Sequence, residues 1–223
     1  FVAVGQFGTV MNSKDGNNWV RATTHSISYF TGVCFGSGLF VAVGAEGSII
    51  TSTDGKVWEG RNSGTSAWID AITFGDEKFV AVGQSGTILI SSDGVNWTST
   101  SVGQYWISAV AYGNGIFVAI ASDNSVFTSN DGLEWVRQGP PSSSQLNAIA
   151  YGAGLFVAVG SNGTIVTSMD GKEWTNREAP TGATLEAVTF GTGKFVAVGH
   201  GTIKPGVYVT SPDGINWAGG PDA

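Results

Sequence analysis

The feature that most constrains this chain is a seven-residue pattern, Ser-x-Asp-Gly-x-x-Trp, which occurs six times along 223 residues. An Asp-Gly pair between apolar segments is a strong hairpin signal, because glycine readily adopts the positive φ that a tight turn needs. A unit of this kind that recurs about every 40 residues is typical of propellers and solenoids. We therefore expect six copies of one β unit.

Each hairpin is expected to be stabilised by its own side chains. The Asp carboxylate can accept the free N–H groups of the turn, and a buried Trp ring can anchor the returning strand. We assign a structural role to these residues: Asp15, Trp19, Asp54, Trp58, Asp93, Trp97, Asp131, Trp135, Asp170, Trp174, Asp213 and Trp217.

The third unit shows the strand pattern most clearly. Alternating apolar segments cover residues 69–74, 79–82 and 87–90, and a fourth begins at Trp97. We name these strands a, b, c and d. Three tight turns between four such strands predict an antiparallel meander, and its two apolar faces need cover on both sides. The predicted fold is an all-β, six-bladed β-propeller of four-stranded antiparallel blades.

The repeat runs through the whole chain, so one domain, 1–223, is predicted. Its units lie near 1–30, 31–67, 68–106, 107–145, 146–184 and 185–223. The first unit begins directly at strand b, with Phe1-Val2-Ala3-Val4. We therefore expect the first blade to lack its innermost strand in this chain, either because it has three strands or because strand a lies upstream.

Composition excludes several classes of function. Charged residues make up 12% of the chain, the net charge is −7, and the hairpins contribute six of the 17 acidic residues. Lys and Arg are scattered, which argues against nucleic-acid binding. Cys34 is the single cysteine, so no disulfide or thiolate metal site can form within the chain. We predict no membrane span, no metal and no cofactor. The oligomeric state is open.

The hairpin resembles the Asp-box, also called the bacterial neuraminidase repeat, of sialidase-like propellers. In this chain Gly follows Asp directly, which departs from that pattern by one residue. The whole unit, from Phe-Val-Ala-Val-Gly through Gly-Thr-Ile to the hairpin, also resembles bacterial repeat proteins and photosystem II assembly factors of propeller type. The resemblance implies the fold more than the function, because the family includes hydrolases, lectin-like binders and assembly factors.

Sialidase activity is rejected. The resemblance would require an arginine triad that converges on the substrate carboxylate. The four arginines follow a hairpin Trp by two or three residues and are expected on outer strands: Arg21, Arg61, Arg137 and Arg177.

One polar position recurs in strand a, occupied by Thr31, Asp70, Ser108, Asn147 and Glu186. Its two acids could act as acid and base in a glycoside hydrolase or lyase, which needs carboxyl groups about 5–10 Å apart. Three blades separate Asp70 from Glu186, so the expectation is that they face each other across a channel, too widely for that chemistry. A hydrated polar ring is the favoured interpretation.

Aromatic residues precede this position by two residues in three units: Tyr29, Trp68 and Trp106. They either cap their own blades or form a stacking platform for a ligand. The candidate ligand-binding residues lie on the face opposite the Asp-Gly hairpins: Tyr29, Trp68, Trp106, Asp123, Asn147, Glu186, His200 and Lys204.

The first functional hypothesis is a non-catalytic binding or scaffold propeller that recognises a glycan or a protein. Ser/Thr-rich loops and low charge suit a secreted or cell-surface setting. The alternatives are the hydrolase or lyase that uses Asp70 and Glu186, and, from the resemblance, an assembly factor for a membrane protein complex. Enzymatic activity is the less favoured interpretation.

Overall fold

The computed structural model describes residues 1–201 and 206–220. The chain separates into two compact units, Phe1–Ile107 and Ser108–Ala223. The single domain at 1–223 stays a prediction.

The first unit contains three sheets whose strands follow the chain order. Blade 1 has three strands: β1 (Val2–Val4), β2 (Val10–Asn12) and β3 (Val20–Arg21). Blade 2 has four: β4 (Phe30–Gly36), β5 (Leu39–Gly44), β6 (Ile49–Ser52) and β7 (Glu59–Arg61). Blade 3 has β8 (Ile69–Gly75), β9 (Lys78–Gly83), β10 (Thr87–Ser91) and β11 (Thr98–Ser101). Short 3₁₀ turns cover Ala45–Gly47 and Gln84–Gly86.

The second unit contains three four-stranded sheets of the same order. Blade 4 begins at the unit boundary with β12 (Ile107–Gly113) and continues with β13 (Ile116–Ala121), β14 (Val126–Ser129) and β15 (Val136–Gln138). Blade 5 has β16 (Leu146–Gly152), β17 (Leu155–Gly160), a 3₁₀ turn at Ser161–Gly163, β18 (Ile165–Ser168) and β19 (Thr175–Arg177). Blade 6 has β20 (Thr184–Gly191), β21 (Lys194–His200), β22 (Val207–Ser211) and β23 (Ala218–Gly219).

The predicted fold class is confirmed. The chain is an all-β, six-bladed propeller, and its first sheet has three strands while the other five have four. In blade 3 the predicted strands a, b and c agree with the observed β8, β9 and β10 to within one residue at each end. Among the described residues, no helix is long and apolar enough to cross a membrane.

The Asp-Gly hairpins share one hydrogen-bond pattern, shown here by the third. The Asp93 carboxylate accepts the backbone N–H groups of Val95 and Asn96, both at 2.8 Å. The Ser91 hydroxyl donates to Asp93 and accepts the N–H of Gly94. The backbone N–H of Asn96 is the main reason that the pKa of Asp93 lies well below its ordinary value. The turn is therefore held by local bonds to an ionised carboxylate.

The expectation that all six hairpin Trp rings are buried is wrong for five of them. Trp58 is 2% exposed, whereas Trp19 is 40% exposed and the other four are half-buried. Each indole N–H donates to the Gly carbonyl of its own turn, as from Trp97 to Gly94 at 3.1 Å. All six rings precede strand d, the last strand of the sheet, and Trp58 is buried there because it packs in a cluster with Val10 and Ala22 of blade 1. The other large buried rings come from strand b, such as Phe79 and Phe195.

Within each unit, the end of strand a packs against the next blade. A Cβ on Gly36 would overlap the ring of Phe74, and one on Gly152 would overlap the ring of Phe190. These rings then contact the buried strand-b phenylalanines of their own blades, with centroids 4.7 Å apart for Phe74 and Phe79. This stacking places the starts of consecutive a strands side by side.

Candidate functional site

The recurrent polar position of strand a lies at a β-bulge in four blades. The a–b pairing shifts register between Phe30 and Gly32, and equivalent shifts occur between Ile69 and Ala71, Leu146 and Ala148, and Leu185 and Ala187. The residue left over in each shift is Thr31, Asp70, Asn147 or Glu186. A bulge re-aims the side chain of the extra residue. Alternation of apolar and polar residues does not reveal this feature.

At two of these bulges the side chain donates to the next blade. Thr31 Oγ1 donates to the carbonyl of Ile69 at 2.6 Å, and Asn147 Nδ2 donates to that of Leu185 at 3.0 Å. Ser108, at the same sequence position, donates to the carbonyl of Ile120 in its own blade. The position therefore normally holds a hydrogen-bond donor beside carbonyl oxygens.

Asp70 departs from this pattern, because an ionised carboxylate has no proton to donate. Its Oδ2 atom accepts the indole N–H of Trp106 at 2.5 Å. Burial raises the pKa of Asp70 to about 6, although the bond from Trp106 acts in the opposite direction. Asp70 is thus a half-buried acid that is ionised at neutral pH at a cost in free energy.

The first unit also has a row of aromatic side chains, and Trp106 bonds to the Asp70 carboxylate. Phe7 and Tyr29 have centroids 5.2 Å apart, and Tyr29 and Trp68 follow at 6.3 Å. Phe7 is 66% exposed, Tyr29 37% and Trp106 42%, while Trp68 is half-buried. We call Phe7, Tyr29, Trp68 and Trp106 the aromatic strip. The choice between rings that cap their own blades and rings that form a platform for a ligand stays a prediction.

Phe7 was not predicted as a site residue. It occupies the b–c turn of blade 1 with φ 55°, in the left-handed region that non-glycine residues rarely adopt. At the corresponding turn positions the chain has Glu46, Ser85 and Asn162, all polar. An apolar ring in this conformation, directed into solvent, could have been noticed by comparing the turns of the repeats.

The b–c turns hold the backbone beneath the strip. Ala45 N–H donates to the Tyr29 carbonyl and Gln84 N–H to the Trp68 carbonyl, both at 2.8 Å. The preceding glycines, Gly44 and Gly83, lie so close that a Cβ on either would overlap the same carbonyl oxygen. Tyr29 and Trp68 therefore project from backbone that is fixed by neighbouring turns.

The remaining candidates lie in the second unit. His200 Nε2 is 3.0 Å from Glu186 Oε1, and Arg137 is 2.7 Å from Asp123. Burial pushes the pKa of Asp123 upward, but bonds from Ser125 and Arg137 outweigh it and lower the pKa. Lys204 lies outside the described residues. Asp70 and Glu186 belong to different units, so their separation across a channel stays a prediction.

Metal-ligand clusters, the Cys34 thiol and the surface cavities are the other possible sites. Within residues 1–201 and 206–220, no three His, Cys, Asp or Glu side chains group as metal ligands would. Burial raises the pKa of the Cys34 thiol to about 12, so the reactive thiolate does not form at neutral pH. Cavities of about 480 and 350 Å³ lie beside the hairpins of Asp15 and Asp131. They are lined by hairpin and outer-strand residues of consecutive blades.

Comparison with known proteins supports the fold alone. No protein-family model matches the chain, and no curated protein matches it. A structure of YCF48 bound to a D1 peptide is similar over 98% of this chain and 76% of that one, with a TM-score of 0.75 and 19% identity. YCF48 from Cyanidioschyzon merolae is similar over 99% of this chain and 80% of its own, with a TM-score of 0.72 and 17% sequence identity. A chain of a nidogen–laminin complex is similar over 94% of this chain and 88% of its own, with a TM-score of 0.71 and 12% sequence identity.

Proposed function

We propose that this chain is a non-catalytic binding module that recognises a segment of a protein partner through the aromatic strip. The observation that carries the proposal is the row of rings from Phe7 through Tyr29 to Trp68, of which Phe7 and Tyr29 are exposed to solvent and Trp68 is half-buried. Contiguous exposed apolar surface usually marks a binding site. Ile27, also exposed, lies next to Gly8 in the same region and extends the apolar surface.

The tilt of the rings favours a peptide over a glycan. Phe7 and Tyr29 are inclined by 56°, and Tyr29 and Trp68 by 47°. A flat platform for the apolar face of a sugar would need more nearly coplanar rings, whereas tilted rings leave clefts that accept side chains. The similar propellers seen with a D1 peptide and in a nidogen–laminin complex support a protein ligand for this fold.

The test is selection of displayed random peptides against the whole chain, followed by affinity measurements with the selected peptides. Tyr29→Ala and Phe7→Ala should weaken binding, whereas Val20→Ala should not. Val20 is equally exposed but lies on the outer strand β3. The proposal fails if no peptide is enriched or if all three variants bind alike. A glycan array with the same variants provides the competing outcome, a carbohydrate-binding module.

A hydrolase or lyase is the second candidate, supported by the raised pKa of Asp70, about 6, which suits a general acid. Glu186 would act as its partner. Asp70→Asn and Glu186→Gln would then abolish turnover of a glycan substrate. A binding module would show no turnover in the unaltered chain.

Two further proposals follow from the sequence. We place the chain among divergent Asp-box repeat proteins, supported by the shared hydrogen-bond pattern of its hairpins. Assembly of a membrane protein complex, at the cell surface or in a secreted setting, is one role for such a module. An affinity pull-down from the source cells tests it, and recovery of membrane subunits that depends on Tyr29 is the expected result.

A further inference from the structure

Asp70 is the one member of the strand-a polar position that combines partial burial with an acidic side chain facing the strip. Glu186, the other acid at this position, is exposed and paired with His200. Within residues 1–201 and 206–220, no Lys, Arg or His forms an ion pair with Asp70. A half-buried carboxylate without a counter-ion attracts a cation more strongly than one in open solvent.

The bond from Trp106 leaves part of the carboxylate open. It uses Oδ2, and among the described residues no side-chain bond is made to Oδ1. A carboxylate has about four lone-pair positions, so Asp70 can still accept two or more N–H groups. Since no buried side-chain N or O atom of the described residues lacks a partner, Oδ1 is not completely buried. It therefore keeps acceptor positions that no described side chain uses.

The neighbouring rings suit the same ligand. Trp106 is tied directly to the carboxylate, and Trp68 precedes Asp70 by two residues and contacts Tyr29. Indole faces are the best side-chain partners for cations, and the interaction strengthens where water is partly excluded. The Asp70 carboxylate beside the Trp106 indole offers a counter-charge together with an aromatic ring.

We propose that Asp70, Trp68 and Trp106 form a pocket for a cationic side chain, a lysine ammonium or arginine guanidinium, of the bound protein segment. Asp70 Oδ1 would accept the N–H groups of the cation while the rings contact its aliphatic stem. This rests on the proposed function and adds a specificity-determining residue to it.

The experiment is titration of the whole chain with Nα-acetyl-lysine amide and Nα-acetyl-arginine amide, with Nα-acetyl-norleucine amide as the neutral control. The readout is the indole N–H resonance of Trp106, identified by its loss in Trp106→Phe. We expect a saturable shift with a cationic derivative and an affinity about tenfold lower for norleucine. Asp70→Asn should lower the affinity for the cationic derivative by a similar factor.

Glu77→Gln is the matched charge control, because Glu77 is exposed in the same unit but lies in the a–b turn of blade 3. It should bind like the unaltered chain. The cation pocket would be overturned if the norleucine and lysine derivatives bound with equal affinity. It would also be overturned if Asp70→Asn bound the cationic derivative as tightly as the unaltered chain, or if the Trp106 resonance showed no saturable shift. If norleucine amide binds as well as the lysine derivative and Tyr29→Ala abolishes this binding, the cation pocket is refuted but the proposed peptide-binding function is not.

Discussion

The indole N–H of Trp106 donates to the carboxylate of Asp70 at 2.5 Å, although the two residues are 36 positions apart. Both residues belong to the first unit, where the bond links the residue before Ile107 to the start of β8. It also leaves a partly desolvated negative charge at a position where Thr31 and Asn147 donate to carbonyl oxygens. Residues that reduce stability in this way are commonly retained for function.

Asp70→Asn should stabilise the protein at neutral pH. The folded-state pKa of about 6 lies above the ordinary value of 3.8, so folding favours the neutral acid. The contribution of Asp70 to stability is therefore full below about pH 4 and is lost as the pH rises through about 6. After discounting for its exposed half, the gain from the amide is about 1 kcal/mol at pH 7.5.

Urea unfolding at pH 4 and pH 7.5 measures this difference. An amide at this position can also donate a hydrogen bond, as Asn147 does to the Leu185 carbonyl in its own unit. A gain in stability of equal size at both pH values would contradict the titration argument. A stable Asp70→Asn also ensures that any loss of ligand in that variant is not caused by unfolding.

Ser91→Ala should destabilise the third hairpin by about 1–2 kcal/mol. The Ser91 hydroxyl is buried, accepts the N–H of Gly94 at 2.8 Å and donates to Asp93 at 2.9 Å. Without it, the Gly94 N–H is left unsatisfied inside the turn. Ser92→Ala, at the exposed neighbouring position, should change the unfolding free energy by less than about 0.5 kcal/mol. Equal effects in urea unfolding would show that the bonds of Ser91 contribute nothing.

Gly83→Ala should lower stability by about 1–3 kcal/mol and weaken peptide binding. The added methyl overlaps the Trp68 carbonyl, so the b–c turn of blade 3 must move away from the strip. Gly60→Ala is the control, because a Cβ there meets nothing within 4 Å. Thermal unfolding and peptide affinity are both measured. Normal affinity in Gly83→Ala would mean that the turn does not position Trp68.

Glu77→Gly should stabilise the protein by about 0.5–1 kcal/mol. Glu77 has φ 57°, at a turn position where the other four-stranded blades have glycine, as at Gly115 and Gly154. Removal of the side chain relieves the left-handed strain. Conversely, Gly115→Ala should destabilise although the space around it is open, because its φ is +81°. Denaturant midpoints that do not move, or that move the other way, would disprove this.

Much of the scaffold was predictable because its determinants are local. The Asp-Gly turn and the alternation in strands a to c are each set by a few consecutive residues. The burial of the hairpin Trp rings was mispredicted for five of the six, because the burial of a ring before the edge strand depends on tertiary packing, as Trp58 shows by its contacts with Val10 and Ala22. Tyr29, Trp68 and Trp106 were identified as candidates, whereas Phe7 was missed, because one residue in a turn carries no periodic signal.

The sequence by itself determined the number of blades, their strand order and the hairpin chemistry, since all of these follow from a repeat written in neighbouring residues. Only the tertiary structure decided that Trp106 reaches Asp70, that Phe7 meets Tyr29, and that the strand-a polar residues lie on bulges. The physical reason is that each of these features depends on residues far apart in the chain or on the register between two strands. They form only when the strands pair and the sheets pack, and packing sets the desolvation that raises the pKa of Asp70.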